Sequence, residues 1–287
     1  MKCRYKGKLH DKDCSVERQQ HWREHPTFST MDEFLAKYSP GSYIGHGGNG
    51  VVYEVTRIFD GKLFAAKQVR RPPDCFHIIP GEIMVLTQVQ DIPGVIDMVE
   101  YFMLPECYII IMEHFDSKDL QEYILEHGIL SEALTKDIFK QVLRAVIFCD
   151  TRGVFHGDIK AGNILINVTT GQTKLIDFGC SGIAPKRTLF HDYDGPHICA
   201  PPEWICQKEY TSEGLTVWTL GLLLFHLVNG DIPFETEEGI QRKCVRSLNR
   251  RKLSLNLQSL IDGCLMKKQD QRLTLTDMSN HPWIKSE

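Results

Sequence analysis

Residues 155–166 read Phe-His-Gly-Asp-Ile-Lys-Ala-Gly-Asn-Ile-Leu-Ile, a polar stretch between apolar flanks. Asp158, Lys160 and Asn163 stand at fixed intervals within it. A carboxylate so placed can accept a hydroxyl proton as a phosphoryl group is transferred, and an Asn five residues later can ligate Mg2+. Lys160 can neutralise a γ-phosphate. Taken alone, the stretch could be a polar loop joining a helix to a strand. That reading weakens because Asp177-Phe178-Gly179 follows, preceded by the apolar Leu175-Ile176. An Asp in that setting would hold the metal that bridges the phosphates.

Two patterns upstream extend the same chemistry. Gly45-His46-Gly47-Gly48-Asn49-Gly50-Val51-Val52 spaces glycines so that backbone can approach a phosphate without a Cβ. A lone pattern of this kind is weak and could be a glycine-rich turn. Here it lies between two predicted strands, whereas a dinucleotide-binding fingerprint opens a helix. Strand, loop and strand fit a loop that covers phosphates. Ala65-Ala66-Lys67 places an ammonium in an apolar strand, which is costly without a partner. Glu82, the first charged residue of the next predicted helix, could be that partner and hold Lys67 against the α- and β-phosphates. The alternative is a lysine snorkelling from a strand edge. Far downstream, Ala200-Pro201-Pro202-Glu203 and Asp270-Gln271-Arg272 offer a Glu and an Arg for a buried ion pair under a substrate-binding floor.

The elements that must position these groups fall into two textures. Tyr43-Ile44, Val51–Val55 and Leu63–Val69 read as strands, with Asp60-Gly61 as a hairpin turn. Pro80–Gln90 suits one helix, and strands are expected near Val95–Tyr101 and Cys107–Met112. From Asp119 the pattern turns helical, with Leu134–Thr151, a buried Leu215–Val228, Gly239–Asn249 and Leu257–Lys267. The expected fold is α+β and bilobal, a small β-rich lobe with one main helix before a larger, mostly helical lobe. The expected divisions are an extension at 1–38, flexible over 1–25 with a short helix at Met31–Tyr38, and a domain at 39–285. Within the domain they are an N-lobe 39–112, a hinge 113–118 and a C-lobe 119–285.

Bulk properties restrict the alternatives. Hydrophobic residues at 42% and charged residues at 24% suit a soluble globular chain of 287 residues. A net charge of −4 does not favour nucleic acid or anionic lipid as a partner. The ten cysteines form no CxxC pair and no zinc-spaced cluster with His. The charged start lacks a signal-peptide core, and no apolar run approaches the roughly 20 residues of a membrane span. The expectation is a reduced cytoplasmic protein with free thiols, a nuclear location left open, and neither nucleic acid nor membrane as partner.

The motifs, in this order, resemble the protein kinase superfamily. Asp194-Gly195-Pro196-His197-Ile198-Cys199-Ala200-Pro201-Pro202-Glu203-Trp204-Ile205 is similar to the PIM serine/threonine kinases. So are Val217–Gly221, Gly230–Glu235 and Asn280–Trp283. The resemblance covers about 40–285. It implies a two-lobed monomer that uses ATP and Mg2+, acts on Ser or Thr of proteins, and needs no activation-loop phosphate. It implies catalytic roles for Asp158, Lys160, Lys67 and Glu82, and metal ligation by Asn163 and Asp177. Nucleotide contacts would come from Ile44, Gly45, Gly47, Gly48, Gly50, Val52, Ala65, Lys67, Met112, Glu113, Phe115 and Leu165. Met112 would be the gatekeeper. Phe115 stands where the family carries Pro, so its N–H could give adenine a second hinge hydrogen bond.

Several departures bear on activity. Thr216 replaces the Asp that most kinases place before Val-Trp, as in the PIM pattern. Gly157 replaces the Arg that usually reads an activation-loop phosphate, and is expected to loosen the loop that holds Asp158. Pro196 replaces a Thr whose hydroxyl normally bonds the catalytic Asp and Lys. Ala161 and Gly162 replace an acidic pair that binds basic substrate residues. Asp119, Glu122, Asp231 and Glu213 could still supply negative charge, so a weaker preference for upstream Arg or Lys is expected. Cys180 is expected to be a small packed residue. The other readings are a pseudokinase scaffold, favoured by Gly157 and Pro196, and a small-molecule phosphotransferase.

Overall fold

The structure is a computed structural model that describes residues 29–47, 50–71, 79–185, 188–243, 245–249 and 252–286. The expected arm at residues 1–25 and Gly48 of the glycine-rich stretch lie outside these residues. The chain divides into two compact units. The first comprises the described residues up to Thr87 together with Asp97–His114, and the second comprises Gln88–Ile96 and the chain from Phe115 onward.

The first unit is an antiparallel sheet with two helices. Its strands are β1 (Tyr38–Gly47), β2 (Gly50–Arg57), β3 (Leu63–Arg70), β4 (Met98–Met103) and β5 (Cys107–Glu113), in the order β1-β2-β3-β5-β4. Helix α1 (Met31–Lys37) is closed by a capping box, in which Thr30 and Glu33 satisfy each other's backbone N–H. It buries Phe34 with Tyr38, Phe64, Ala66, Phe102, Ile109 and Ile111 in one cluster. Residues that pair directly across a sheet share a face, and successive residues alternate between faces. Phe64 and Ala66 therefore enter this cluster, and Ala65 and Lys67 belong to the opposite face. Helix α2 (Gly81–Gln88) buries Glu82, Ile83, Val85 and Leu86.

In the second unit, β6 (Lys118–Asp119) leads into α3 (Leu120–His127), whose N-cap is Asp119. Helix α4 (Glu132–Thr151) buries Ile138, Phe139, Val142, Leu143, Val146 and Cys149, the stripe its sequence predicts. The loop carrying Asp158 runs from β7 (Val154–Phe155) to β8 (Ile164–Ile166). Strand β9 (Thr173–Leu175) completes the sheet β6-β8-β9 and ends just before Asp177. Then follow β10 (Gly182–Ile183), paired with β7, and β11 (Leu189–Phe190), paired with β12 (Tyr210–Thr211). Helix α5 (Pro202–Gln207) begins within the Ala-Pro-Pro-Glu stretch. Helix α6 (Ser212–Asn229) is buried along nearly its whole length, as suits a helix apolar nearly all round. The chain finishes through α7 (Glu237–Arg242), α8 (Leu255–Cys264), α9 (Leu275–Asn280) and α10 (Pro282–Lys285).

Some elements differ from expectation. The helix expected over Gly239–Asn249 starts earlier, because Thr236 caps it by accepting from Gly239 N, and ends at Arg242 before a separate 3-10 turn at Val245–Leu248. Val95 forms only an isolated bridge to Leu175, so the fourth strand begins at Met98. The hairpin after β2 is wider than a two-residue turn, since Arg57 N bonds Lys62 O and Gly61 N bonds Arg57 O.

Candidate active site

In the first unit, sheet register assembles one row of side chains. Val52 pairs with Lys67, Ala65 with Met112, and Gly45 with Val52. Val52, Ala65, Lys67 and Met112 thus share the sheet face opposite the aromatic cluster. Ile44 is exposed at a register shift between Tyr43 and Gly45. Gly47 pairs with Gly50. A Cβ at Gly50 would stand 2.5 Å from the Gln68 carbonyl oxygen, so backbone packing there demands glycine. Lys67 is buried, and its Nζ lies 2.5 Å from Glu82 Oε1. This geometry excludes a snorkelling lysine, since both side chains are 4% exposed. Glu113 N donates to Asp97 O, and its carboxylate accepts from Asp97 N.

In the second unit, one loop holds the candidate catalytic groups. Lys160 Nζ lies 2.6 Å from Asp158 Oδ2. Asn163 Nδ2 donates to the same oxygen at 2.9 Å and to the Asp158 carbonyl at 2.8 Å. Both amide bonds use the nitrogen, which leaves Asn163 Oδ1 as the oxygen available to a cation. Asp177 has φ +60°, an uncommon conformation for a non-glycine residue and one found at functional sites. An amide oxygen and a carboxylate are the hard donors that Mg2+ prefers, so Asn163 and Asp177 fit that metal. Leu165 pairs with Asp119 and Lys174 in the small sheet. The Phe115 ring lies under Lys174 Nζ.

Two residues given no role from sequence support this loop. His156 is buried; its Nδ1 accepts from Asp158 N, and its Nε2 donates to Ile176 O at 2.9 Å. Burial holds its pKa below the ordinary histidine value, so the ring stays neutral. Ser181 Oγ donates to His156 O. The position of His156 beside Asp158 hinted at a role, but nothing local marked Ser181.

The departures take definite positions. Gly157 adopts φ +82°, which glycine reaches freely. The expected loosening is corrected: the residue type suits the backbone, which is closely packed there. Pro196 offers only its carbonyl, which accepts from Tyr193 Oη and Cys199 N. Ala161 is buried, and open space surrounds the missing Cβ of Gly162. Asp119 accepts from Glu122 N as the cap of α3, and Glu213 accepts from Leu275 N. Glu213 is thereby engaged in tying α6 to α9. Cys180 is half-buried rather than fully packed, with its thiol pushed up to about 12 by burial and then by the Asp158 and Asp177 charges.

Beneath the Ala-Pro-Pro-Glu stretch, Arg272 grips Glu203 with two bonds of 2.8 Å. Arg272 also donates to the Gly214 and Met266 carbonyls. A bidentate pair with every nitrogen engaged compensates for burying both charges.

A family model described as protein kinase domain matches residues 38–284. The chain belongs to the protein kinase domain family. It is similar to "Serine/threonine-protein kinase pim-2" of Danio rerio, 38% identical over 88% of this chain and 86% of that protein. It is also similar to "Serine/threonine-protein kinase prk-2" of Caenorhabditis elegans, 33% identical over 90% of this chain but 60% of that protein. "NUAK family SNF1-like kinase 1" of Homo sapiens is 31% identical, with only 38% of its length covered. The kinase domain therefore has a PIM-like serine/threonine character and belongs to the ATP-dependent protein kinases.

Proposed function

We propose that this kinase domain transfers the γ-phosphoryl group of ATP to serine and threonine of proteins, favours basic residues upstream of the target, and needs no phosphate on its own activation segment. The observation that carries the reading is Asp158 held by Lys160 and Asn163 in one loop. Both donors use Oδ2, so Oδ1 is left to take the substrate hydroxyl proton, and the oxygen becomes a better nucleophile as it loses that proton. Lys160 keeps a cation beside this carboxylate to neutralise the γ-phosphate. Lys67, fixed by Glu82, presents its ammonium to the α- and β-phosphates. Mg2+ held by Asn163 and Asp177 would neutralise charge shared by the phosphates. Phe115 carries an N–H where Pro would have none, which gives adenine a second backbone hydrogen bond. A nucleotide complex in which that N–H makes no bond to the base contradicts this point.

Glu122 and Asp231 are exposed acids, but Ala161 and Gly162 add no charge. The basic preference is therefore modest. One exposed ion pair is worth up to about 1 kcal/mol, or roughly fivefold in kcat/KM. Phosphatase-treated protein is given radiolabelled ATP and three peptides: Arg-rich with Ser, neutral with Ser, and Arg-rich with Tyr. The Arg-rich Ser peptide should label best. Equal labelling of the two Ser peptides, preference for Tyr, or loss of activity on phosphatase treatment contradicts the corresponding part.

A further inference from the structure

The loop that carries Asp158 is held from the side of the Asp-Phe-Gly segment. Helix α6 supplies no side-chain bond from Thr216, whose hydroxyl donates to Ser212 O within its own helix. A cavity of about 10 Å³ is lined by Thr216, Val154, Phe155 and His156. By contrast, the chain from Ile176 to Gly182 meets the loop repeatedly. His156 Nε2 donates to Ile176 O at 2.9 Å, Ser181 Oγ donates to His156 O at 2.8 Å, and Phe155 pairs with Gly182. The tightest approach is at Gly157. A Cβ there would lie 2.1 Å from the Cys180 carbonyl oxygen and 2.9 Å from its carbon. No real Cβ tolerates that separation from backbone, so one segment would have to move.

We propose that Gly157 is a positioning residue for Asp158: its missing side chain lets the catalytic loop seat directly on the Cys180 carbonyl, and that seat sets the carboxylate without a phosphate-reading cation. Asp158 is the next residue, and its N–H is already committed to His156. A shift of the Gly157 backbone must therefore displace the carboxylate and disturb the histidine bond together. The proposal rests on the kinase reading for its kinetic consequence, but its structural core does not.

The test compares the full chain with Gly157→Ala, Gly157→Asn and Ser181→Ala. Asn tolerates positive φ better than Ala, yet both carry a Cβ. Steric exclusion at Cys180 predicts that both fail alike, whereas simple backbone strain predicts that Asn recovers. A displacement near 1 Å should lower kcat by about 100-fold with the KM for ATP little changed. Ser181→Ala, which deletes one tie without adding bulk, should lower kcat by about 3- to 10-fold, again with little change in KM. Hydrogen–deuterium exchange supplies a readout independent of transfer. Amides of 155–160 and 178–183 should exchange faster in the Gly157 variants while α8 keeps its protection. Unchanged exchange in those two segments overturns the seat, whatever the activity. Unchanged kcat despite faster exchange overturns the positioning role. A natural chain without transfer defeats the kinase reading alone, and the exchange result still decides the seat.

Discussion

Asp158 takes two donors on one carboxylate oxygen, and its backbone N–H is anchored by a neutral histidine. That anchor makes the loop sensitive to acid. His156 accepts at Nδ1 only while that nitrogen is unprotonated. Its folded pKa is depressed from about 6.5, so the unfolded chain binds the extra proton first as pH falls. The stability it contributes is complete above about 6.5 and is lost progressively below that value. Urea midpoints should be level between about pH 7 and 8 and should fall below about 6.5; His226, also depressed by burial, adds to the same slope. His156→Phe should flatten the slope, and an unchanged slope would assign it to other groups. At this scale the sequence revealed residue types and spacings, such as Asp158, Asn163 and Asp177. It did not reveal the Gly157 contact, because a close approach to a carbonyl 23 positions away leaves no local pattern.

Elements were legible where a periodicity or cap was strong. Helix α4 shows a clear apolar stripe and α6 is apolar nearly all round, and both formed close to their expected limits. Helices α3, α5, α9 and α10 are only 8, 6, 6 and 4 residues long, too short for a periodic signal to stand out. The sequence does carry a signal for the start of α7, in Thr236 followed by Glu237 and Glu238, an N-terminal signature. Helices α5 and α6 are bound together by Arg272, which reaches Glu203 in one and the Gly214 carbonyl in the other. Arg272→Ala leaves the Glu203 charge without its bidentate partner and should cost about 3–5 kcal/mol. Chemical denaturation checks this figure, and a loss under about 1 kcal/mol would show that water replaces the guanidinium.

For the whole chain, the sequence predicted a β-rich part followed by a helical part, and the structure contains one compact unit of each kind. One division between the units falls between His114 and Phe115. Gln88–Ile96 groups with the second unit, which the strand-like sequence around Val95 did not indicate. The reason is specific: Ile96 N bonds Leu175 O, and Leu175 N bonds Gly94 O. Such long-range backbone pairing depends on register rather than on local composition.

The central claim is phosphoryl transfer to protein hydroxyls with Asp158 as the proton acceptor. It is tested most directly by radiolabel transfer from ATP to an Arg-rich serine peptide, comparing the natural chain with Asp158→Asn while ATP affinity is measured in parallel. Removing a positioned base should lower kcat at least about 100-fold and leave ATP affinity within about twofold. Transfer by Asp158→Asn at the natural rate, or no transfer by natural chain that is folded and binds ATP, contradicts the account.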